Sequence, residues 1–231
     1  MTEDRRTAWL AWKTATFGDG YMIWHDGLDV DAVTRLRGPA RTEAISLLRD
    51  GLAQDDEHAA HALSALRDHA SAPAMRALLA RSHGGTRVRV ALALHFLRRE
   101  AALALHLVEV LRTPGDAPSW HGSGRIDAAM GLRHFRGRAD EAALFTAVGD
   151  LAYLVRFHAC TSLLHRWGVA RPEVTRYPKL FALVRVPDGP PDAPTMAGYE
   201  AAREFLRALR ARRRARARRS TAPARARGPK S

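Results

Sequence analysis

A repeated segment constrains the fold of this chain more than any other feature of its sequence. Four segments of eleven residues align with one another, and they begin at Asp56, Arg87, Arg125 and Arg156. The offsets between their first residues are 31, 38 and 31 residues, and the middle offset is longer by the seven residues of the segment TPGDAPS. An insertion in that loop restores the period, and a period of this length is typical of stacked helical units.

The aligned segments share three columns at the spacing of one helix face. The first column holds small residues or Val, the column three residues later holds small residues again, and the column after that holds Leu. Their members are Ala59, Val90, Ala128 and Ala159; Ala62, Ala93, Gly131 and Ser162; and Leu63, Leu94, Leu132 and Leu163. This pattern predicts helices that approach one another closely through the small residues, with leucine filling the space between them.

Composition and the positions of helix-breaking residues predict an all-α fold. Hydrophobic residues make up 46% of the chain and aromatic residues only 7%, a bias toward Ala and Leu that favours helices over strands. Glycine, proline, serine and aspartate separate short segments with helical periodicity. The predicted helices cover 40–53, 56–69, 73–82, 86–99, 101–112, 124–136, 139–148, 151–166 and 173–185. Short connections between such helices predict antiparallel neighbours.

With RVRVALAL from Arg87 and LVRFHACTSL from Leu154, the repeat resembles the short HEAT-like repeats of phycobilisome lyases and of many bacterial scaffolds. The resemblance covers roughly residues 40–170, and the first unit departs from it because Asp56 replaces the arginine. It implies a short right-handed HEAT-like α-solenoid of antiparallel helix pairs. It further implies a non-catalytic scaffold that binds a protein partner on an extended surface, without a cofactor. A tetrapyrrole lyase is a further possibility that only the period supports.

The remaining segments frame this domain. Residues 1–38 form a predicted N-terminal cap in which Trp9, Trp12 and Trp24 cover the first helix pair, and the glycines of FGDG are expected to break its helices. The repeat domain then extends over 39–186. A Pro-rich linker at 187–194 precedes a C-terminal helix at 195–209 and an Arg-rich tail at 210–231, which we expect to be disordered.

The positive charge of the chain is concentrated in its last residues. The formal net charge is +13, and residues 203–231 contain twelve Lys or Arg residues but only one acid, Glu204. Seven tail arginines are therefore candidates for binding nucleic acid, namely Arg210, Arg212, Arg213, Arg214, Arg216, Arg218 and Arg219. Arginine contacts to backbone phosphates require no base recognition, and the chain has no aromatic residue after Phe205 for stacking on bases. The alternative is a tail that only solubilises the protein.

Four arginines at the beginnings of the repeated helices are candidates for a binding face. Arg87, Arg125 and Arg156 occupy one column, and Arg89 lies beside it. We call these four residues the column arginines. One interpretation is a basic surface that meets phosphates or an acidic partner. The other is structural: because an arginine near a helix N-terminus opposes the helix dipole, each would be compensated by an acid such as Asp116, Asp140 or Asp150.

Catalytic and metal-binding interpretations have weaker support. HEAT-like glycosylases that act on alkylated DNA bases use Trp, Asp and Arg, for which Arg125, Asp127, Arg166 and Trp167 are the nearest counterparts here, without a match to that family's motif. The histidines show no H-E-x-x-H motif and no His-Glu dipeptide, so no metal site is predicted. Cys160 lies on the expected core face and is predicted to be a buried thiol.

The expected setting of the protein follows from its single cysteine and its N-terminus. One cysteine, Cys160, allows no intramolecular disulfide, which fits a reducing compartment. The N-terminal residues lack the apolar stretch of a signal peptide, and no segment is long and apolar enough for a membrane span. We therefore expect a cytoplasmic monomer that does not bind membranes.

Overall fold

The computed structural model describes residues 3–113, 124–185 and 192–220. This part of the chain is all-helical and contains no strand, as predicted. Its thirteen helices are α1 (Glu3–Phe17), α2 (Gly20–Asp26), α3 (Asp31–Thr34), α4 (Gly38–Leu52), α5 (Glu57–Ala65), α6 (Ala72–Arg81), α7 (Gly84–Arg98), α8 (Ala104–Arg112), α9 (Gly124–Gly131), α10 (Arg138–Ala147), α11 (Tyr153–Arg166), α12 (Pro178–Val184) and α13 (Ala193–Ser220). None of the described helices combines the length and the apolar character needed to cross a membrane.

The chain divides into two compact units, Met1–Ala143 and Leu144–Ser231, and the division falls inside α10. In the first unit α5, α7 and α9 pack side by side, while α4, α6 and α8 pack against α5, α7 and α9 respectively. In the second unit α12 contacts both α11 and α13. The single repeat domain over residues 39–186 stays a prediction.

The three repeat columns form the cores of the units. Every side chain of the Leu column is fully buried, and the two columns of small residues are buried as well. The helices predicted between residues 40 and 185 are also present, with ends shifted by a few residues. The prediction that the three columns face the core is therefore confirmed.

The N-terminal helix contributes a buried tryptophan to the first unit. Trp9 is 1% exposed, and α1 packs against α4. Gly51 on α4 lies so close to this indole that a Cβ atom there would collide with the ring. Trp12 is half-buried, with its ring centroid 5.8 Å from that of Trp9. The predicted packing of these two tryptophans is confirmed, whereas the side chain of Trp24 lies outside the described residues.

The N- and C-terminal regions contain more helix than the sequence predicts. The glycines after Phe17 end α1 as expected, since Gly18 has a φ of +83°, and a second helix, α2, begins at Gly20. The Asp19 carboxylate caps α2, accepting a hydrogen bond of 2.9 Å from the Met22 amide. The prediction that the tail is disordered from residue 210 is wrong as far as Ser220, where α13 ends. Arginine and alanine favour helices, and cations stabilise the C-terminal end of a helix dipole. Residues 221–231 lie outside the described part of the chain.

Candidate functional site

The first two column arginines are paired with acids of the first unit. Arg87 on α7 donates a hydrogen bond of 3.2 Å to Nδ1 of His106, and its Nη2 atom lies 3.2 Å from a carboxylate oxygen of Glu109. Both partners belong to α8. Arg87 therefore ties two neighbouring helices together, and Glu109 compensates its charge.

Arg89 links three helices through two carboxylates. Its Nη1 atom lies 2.8 Å from Glu57 on α5, and its Nη2 atom lies 3.0 Å from Asp127 on α9. Burial raises the pKa of Asp127, a shift that Arg89 opposes and Glu57 reinforces. Two acids thus surround one guanidinium group, so this part of the first unit does not carry excess positive charge.

The other two column arginines are partly or fully buried. Arg125 is half-buried at the start of α9, and burial lowers its pKa. Arg156 on α11 is 0% exposed. Its guanidinium group donates to the backbone carbonyl oxygens of Val184, Asp150 and Leu151 at 3.1, 2.6 and 2.7 Å, and its Cζ atom lies 5.0 Å from the ring centroid of Tyr199.

The surroundings of Arg87, Arg89 and Arg156 agree better with the structural interpretation than with a basic binding face. Arg156 cannot meet a partner because it is enclosed by the second unit. Arg87 and Arg89 have acidic partners, as the structural interpretation predicted, but these are Glu109, Glu57 and Asp127 rather than the acids proposed from the sequence. Asp150 contributes its backbone carbonyl to Arg156, Asp140 accepts a hydrogen bond from the Gly137 amide, and Asp116 lies outside the described residues.

Two arginines of α13 hold the ends of two helices in the second unit. Arg203 donates to the carbonyl oxygens of Phe145 and Thr146, both at 3.1 Å, in the last turn of α10. Arg213 donates to those of Trp167 and Gly168 at 3.2 and 2.7 Å, where α11 ends. Cations at these positions satisfy carbonyl groups that lack helical donors and complement the helix dipole.

Arg210 contributes to the same attachment. Its Cζ atom lies 6.0 Å from the ring centroid of Trp167, and that indole also contacts Phe145, with a centroid separation of 5.9 Å. Two of the seven arginines predicted to bind nucleic acid, Arg210 and Arg213, thus make contacts within the fold. Sequence reasoning missed this role because it depends on residues far away along the chain.

The next arginines of α13 are exposed to solvent. Arg212, Arg214 and Arg216 are all exposed, and we call them the helix-end arginines. The last acid before them in the sequence is Glu204, and none follows. Arg207, which precedes them, is paired with Glu200 at 2.7 Å. Arg218 and Arg219 belong to the same helix, but their side chains lie outside the described part of the structure.

A separate polar cluster lies at the beginning of α5. The Asp56 carboxylate caps this helix, accepting hydrogen bonds from the amides of His58 and Ala59 at 2.9 and 3.4 Å. The Nζ atom of Lys13 on α1 lies 2.6 Å from the same carboxylate and 3.3 Å from Nδ1 of His58. Burial acts to raise the pKa of Asp56, but the hydrogen bonds from His58 and Lys13 outweigh it and hold this pKa well below its usual range.

This cluster predicts a pH-dependent contribution to stability. Because the pKa of Asp56 is lower in the folded state, its carboxylate stabilises the fold above the unfolded-state pKa of about 4 and loses that effect as the pH falls below it. We expect Asp56→Asn to lower the free energy of unfolding at pH 7 by about 1–2 kcal/mol. Urea denaturation from neutral to acidic pH should show this difference shrinking on acidification. A difference that stays constant with pH would contradict this assignment.

Several of the other candidate residues are buried or have contacts within their own units. Cys160 is fully buried, as predicted, and burial raises the pKa of its thiol to about 12. Within residues 3–113, 124–185 and 192–220, no group of three His, Cys, Asp or Glu side chains is arranged to hold a metal ion. Of the glycosylase-like set, Asp127 is paired with Arg89, and Trp167 contacts Phe145 and Arg210.

Comparison of this chain with protein-family models, with curated proteins and with solved structures yields no match. The HEAT-like resemblance therefore rests on the repeat columns alone. Likewise, function has to be inferred from the charges and contacts of the described residues. Among the predicted site residues, the helix-end arginines are both exposed and located in a stretch of sequence without acids.

Proposed function

We propose that this chain is a helical-repeat scaffold that binds nucleic acid through the helix-end arginines of α13. The main support for this proposal is that some arginines have partners that compensate their charge, whereas the helix-end arginines have none among the described residues. Arg87 and Arg89 face carboxylates and Arg156 is enclosed among carbonyl groups, whereas Arg212, Arg214 and Arg216 are exposed on a segment without acids.

The scaffold itself is proposed to be a short right-handed HEAT-like solenoid of antiparallel helix pairs. Support comes from the first unit, where α5, α7 and α9 pack side by side and each has one of α4, α6 and α8 against it. Small residues in two buried columns allow this close approach. Within the second unit, α13 is held in place through Arg203, Arg210 and Arg213.

Phosphate is the chemical group that these arginines fit best. A guanidinium group donates to phosphate oxygens in a bidentate geometry, and clustered arginines gain further free energy from the release of counterions condensed on nucleic acid. Because no aromatic residue follows Phe205 in the sequence, contacts to the backbone rather than stacking on bases are expected to dominate. The proposed recognition is therefore independent of base sequence.

Replacing the helix-end arginines should weaken binding strongly. We expect Arg212→Gln/Arg214→Gln/Arg216→Gln to lower affinity for a short duplex DNA roughly 100-fold near 0.1 M salt, if each lost phosphate contact lowers affinity several-fold. Fluorescence anisotropy titration measures this loss. Glutamine retains helix propensity, and circular dichroism should show an unchanged helix content.

The matched control removes three other exposed arginines, Arg112, Arg138 and Arg171. Arg112→Gln/Arg138→Gln/Arg171→Gln changes the net charge by the same amount, and we expect it to alter affinity by no more than about threefold, since distant exposed charges are screened. An equal loss in both triple variants would show that net charge alone attracts nucleic acid. That outcome, or a wild-type chain that binds no nucleic acid, would contradict the proposal.

A protein partner is the second candidate function, and exposed apolar residues of the N-terminal region favour it. Tyr21 and Met22 are neighbours on α2 and are 64% and 48% exposed, and large exposed apolar side chains are typical of protein-binding sites. In affinity capture from cell extract, Tyr21→Ser/Met22→Ser should lose a protein that the wild type retains. The control Leu105→Ser alters a residue that is 65% exposed on α8 and should retain it. Identical captured proteins for all three baits would count against this candidate.

A further inference from the structure

The helix-end arginines lie in two rows on α13. Arg212 and Arg216 are four residues apart and therefore share one side of the helix, about 6 Å apart along its axis. Arg214 is two residues from each of them, so it lies roughly 160–200° around the helix, on the other side. The sequence continues this spacing, because residues 218 and 219 are also arginine. All three described side chains of the rows are exposed.

The two remaining sides of this segment differ from each other. Arg213 lies between the rows on one side, where it donates to the carbonyl oxygens of Trp167 and Gly168 and so attaches the helix to its own unit. Ala211 and Ala215 lie between the rows on the opposite side and are exposed. The helix therefore presents a narrow strip of small residues with positive charge along both margins.

We propose that this segment of α13 lies in the major groove of B-form duplex DNA, with one row of arginines on the phosphates of each strand. The inference rests on the proposed function and specifies its ligand. A helix with its side chains is about 10–12 Å across, and the major groove of B-form DNA is about 12 Å wide with phosphates along both edges. Arginine rows on opposite sides match those two edges, and Ala211 and Ala215 allow the helix backbone to approach the base pairs.

Other polyanions match this arrangement less well. The major groove of A-form RNA is deep and narrow, so a helix does not enter it readily. A single strand has one line of phosphates and would use one row, and tight binding to it relies on aromatic stacking. A membrane surface would also meet one side only, and residues 210–220 contain only Arg, Ala and Ser, which offers no large apolar side chain for insertion.

The test moves one arginine from its row without changing composition or net charge. In Arg214→Ala/Ala215→Arg the arginine is shifted by one residue, which places it on the strip that faces the groove. Anisotropy titrations of the full-length wild type and this variant would use duplex DNA, one of its single strands, and duplex RNA of the same sequence. We expect the variant to bind duplex DNA about tenfold more weakly and to bind the single strand as the wild type does. The wild type should prefer duplex DNA over duplex RNA by about tenfold or more.

The three probes separate binding in the major groove from nucleic-acid binding in general. If the wild type binds nucleic acid but the variant binds duplex DNA equally well, the arginines act without a fixed geometry and groove binding is overturned. A wild-type preference for the single strand or for duplex RNA would overturn it too, although nucleic-acid binding through α13 would stand. Absence of binding to all three probes would overturn both.

Discussion

Replacing Leu94 by aspartate is expected to unfold the first unit. Leu94 is 0% exposed on α7, in the buried Leu column of the repeat, and α7 packs against α5 and α9 on either side. The substitution removes an apolar side chain from this core and introduces a charge for which the column offers no partner, a loss of at least about 4 kcal/mol. Thermal denaturation followed by circular dichroism measures it.

The control for this prediction is Leu105→Asp on the neighbouring helix α8. Leu105 is 65% exposed, so its replacement by aspartate should change the free energy of unfolding by no more than about 0.5 kcal/mol. If Leu94→Asp retained a cooperative transition and full helix content, the register of the repeat would be wrong.

Replacing Arg156 by methionine is expected to destabilise the second unit by about 3–5 kcal/mol. The change leaves the carbonyl oxygens of Asp150, Leu151 and Val184 without the donors that Arg156 supplies, and an unsatisfied buried polar group costs about 1–3 kcal/mol. It also removes the cation that lies over Tyr199. Urea denaturation followed by circular dichroism measures the loss.

Arg185→Met provides the comparison for Arg156, because Arg185 is an exposed arginine at the end of α12. It also lies over an aromatic ring, that of Phe181, at 5.9 Å, and its replacement should cost no more than about 1 kcal/mol. Equal effects of the two substitutions would show that the three carbonyl contacts of Arg156 contribute no net stability.

Much of the fold could be predicted because its signals are local. The Leu column from Leu63 to Leu163 follows helical periodicity, and such periodicity reports a buried face directly. Pro39 and Pro73 lie in the first turns of α4 and α6, where proline is tolerated. Helix ends follow less directly from periodicity, because they depend on local caps such as the Asp19 carboxylate at the start of α2.

The end of α13 shows a different reason for error. Loss of the apolar pattern after Leu209 predicts a disordered tail, but periodicity reports only which residues are buried. Residues 211–220 have no apolar face to bury and are helical nevertheless, since arginine and alanine both have high helix propensity. An exposed polar helix and a disordered tail give the same hydrophobic pattern.

For the column arginines, the sequence already contained a signal that favours the structural interpretation. Arg87, Arg125 and Arg156 each precede a buried residue of the first column by three positions, so helical periodicity already places them near the core side. What the sequence cannot supply is their partners. Glu57 and Asp127 reach Arg89 from two other helices, and only the packing of those helices brings the three residues together.

If α13, and not the column arginines, binds nucleic acid, the salt dependence of affinity for duplex DNA should reveal it. The wild type, Arg212→Gln/Arg214→Gln/Arg216→Gln and Arg87→Gln/Arg89→Gln would be compared across a salt series. If each helix-end arginine contacts one phosphate, the triple variant should reduce the slope of log K against log salt concentration by about 2.7, while the double variant leaves it unchanged. The opposite result, a smaller slope for the double variant and an unchanged slope for the triple variant, would contradict this expectation. It would indicate that the DNA binds to the first unit.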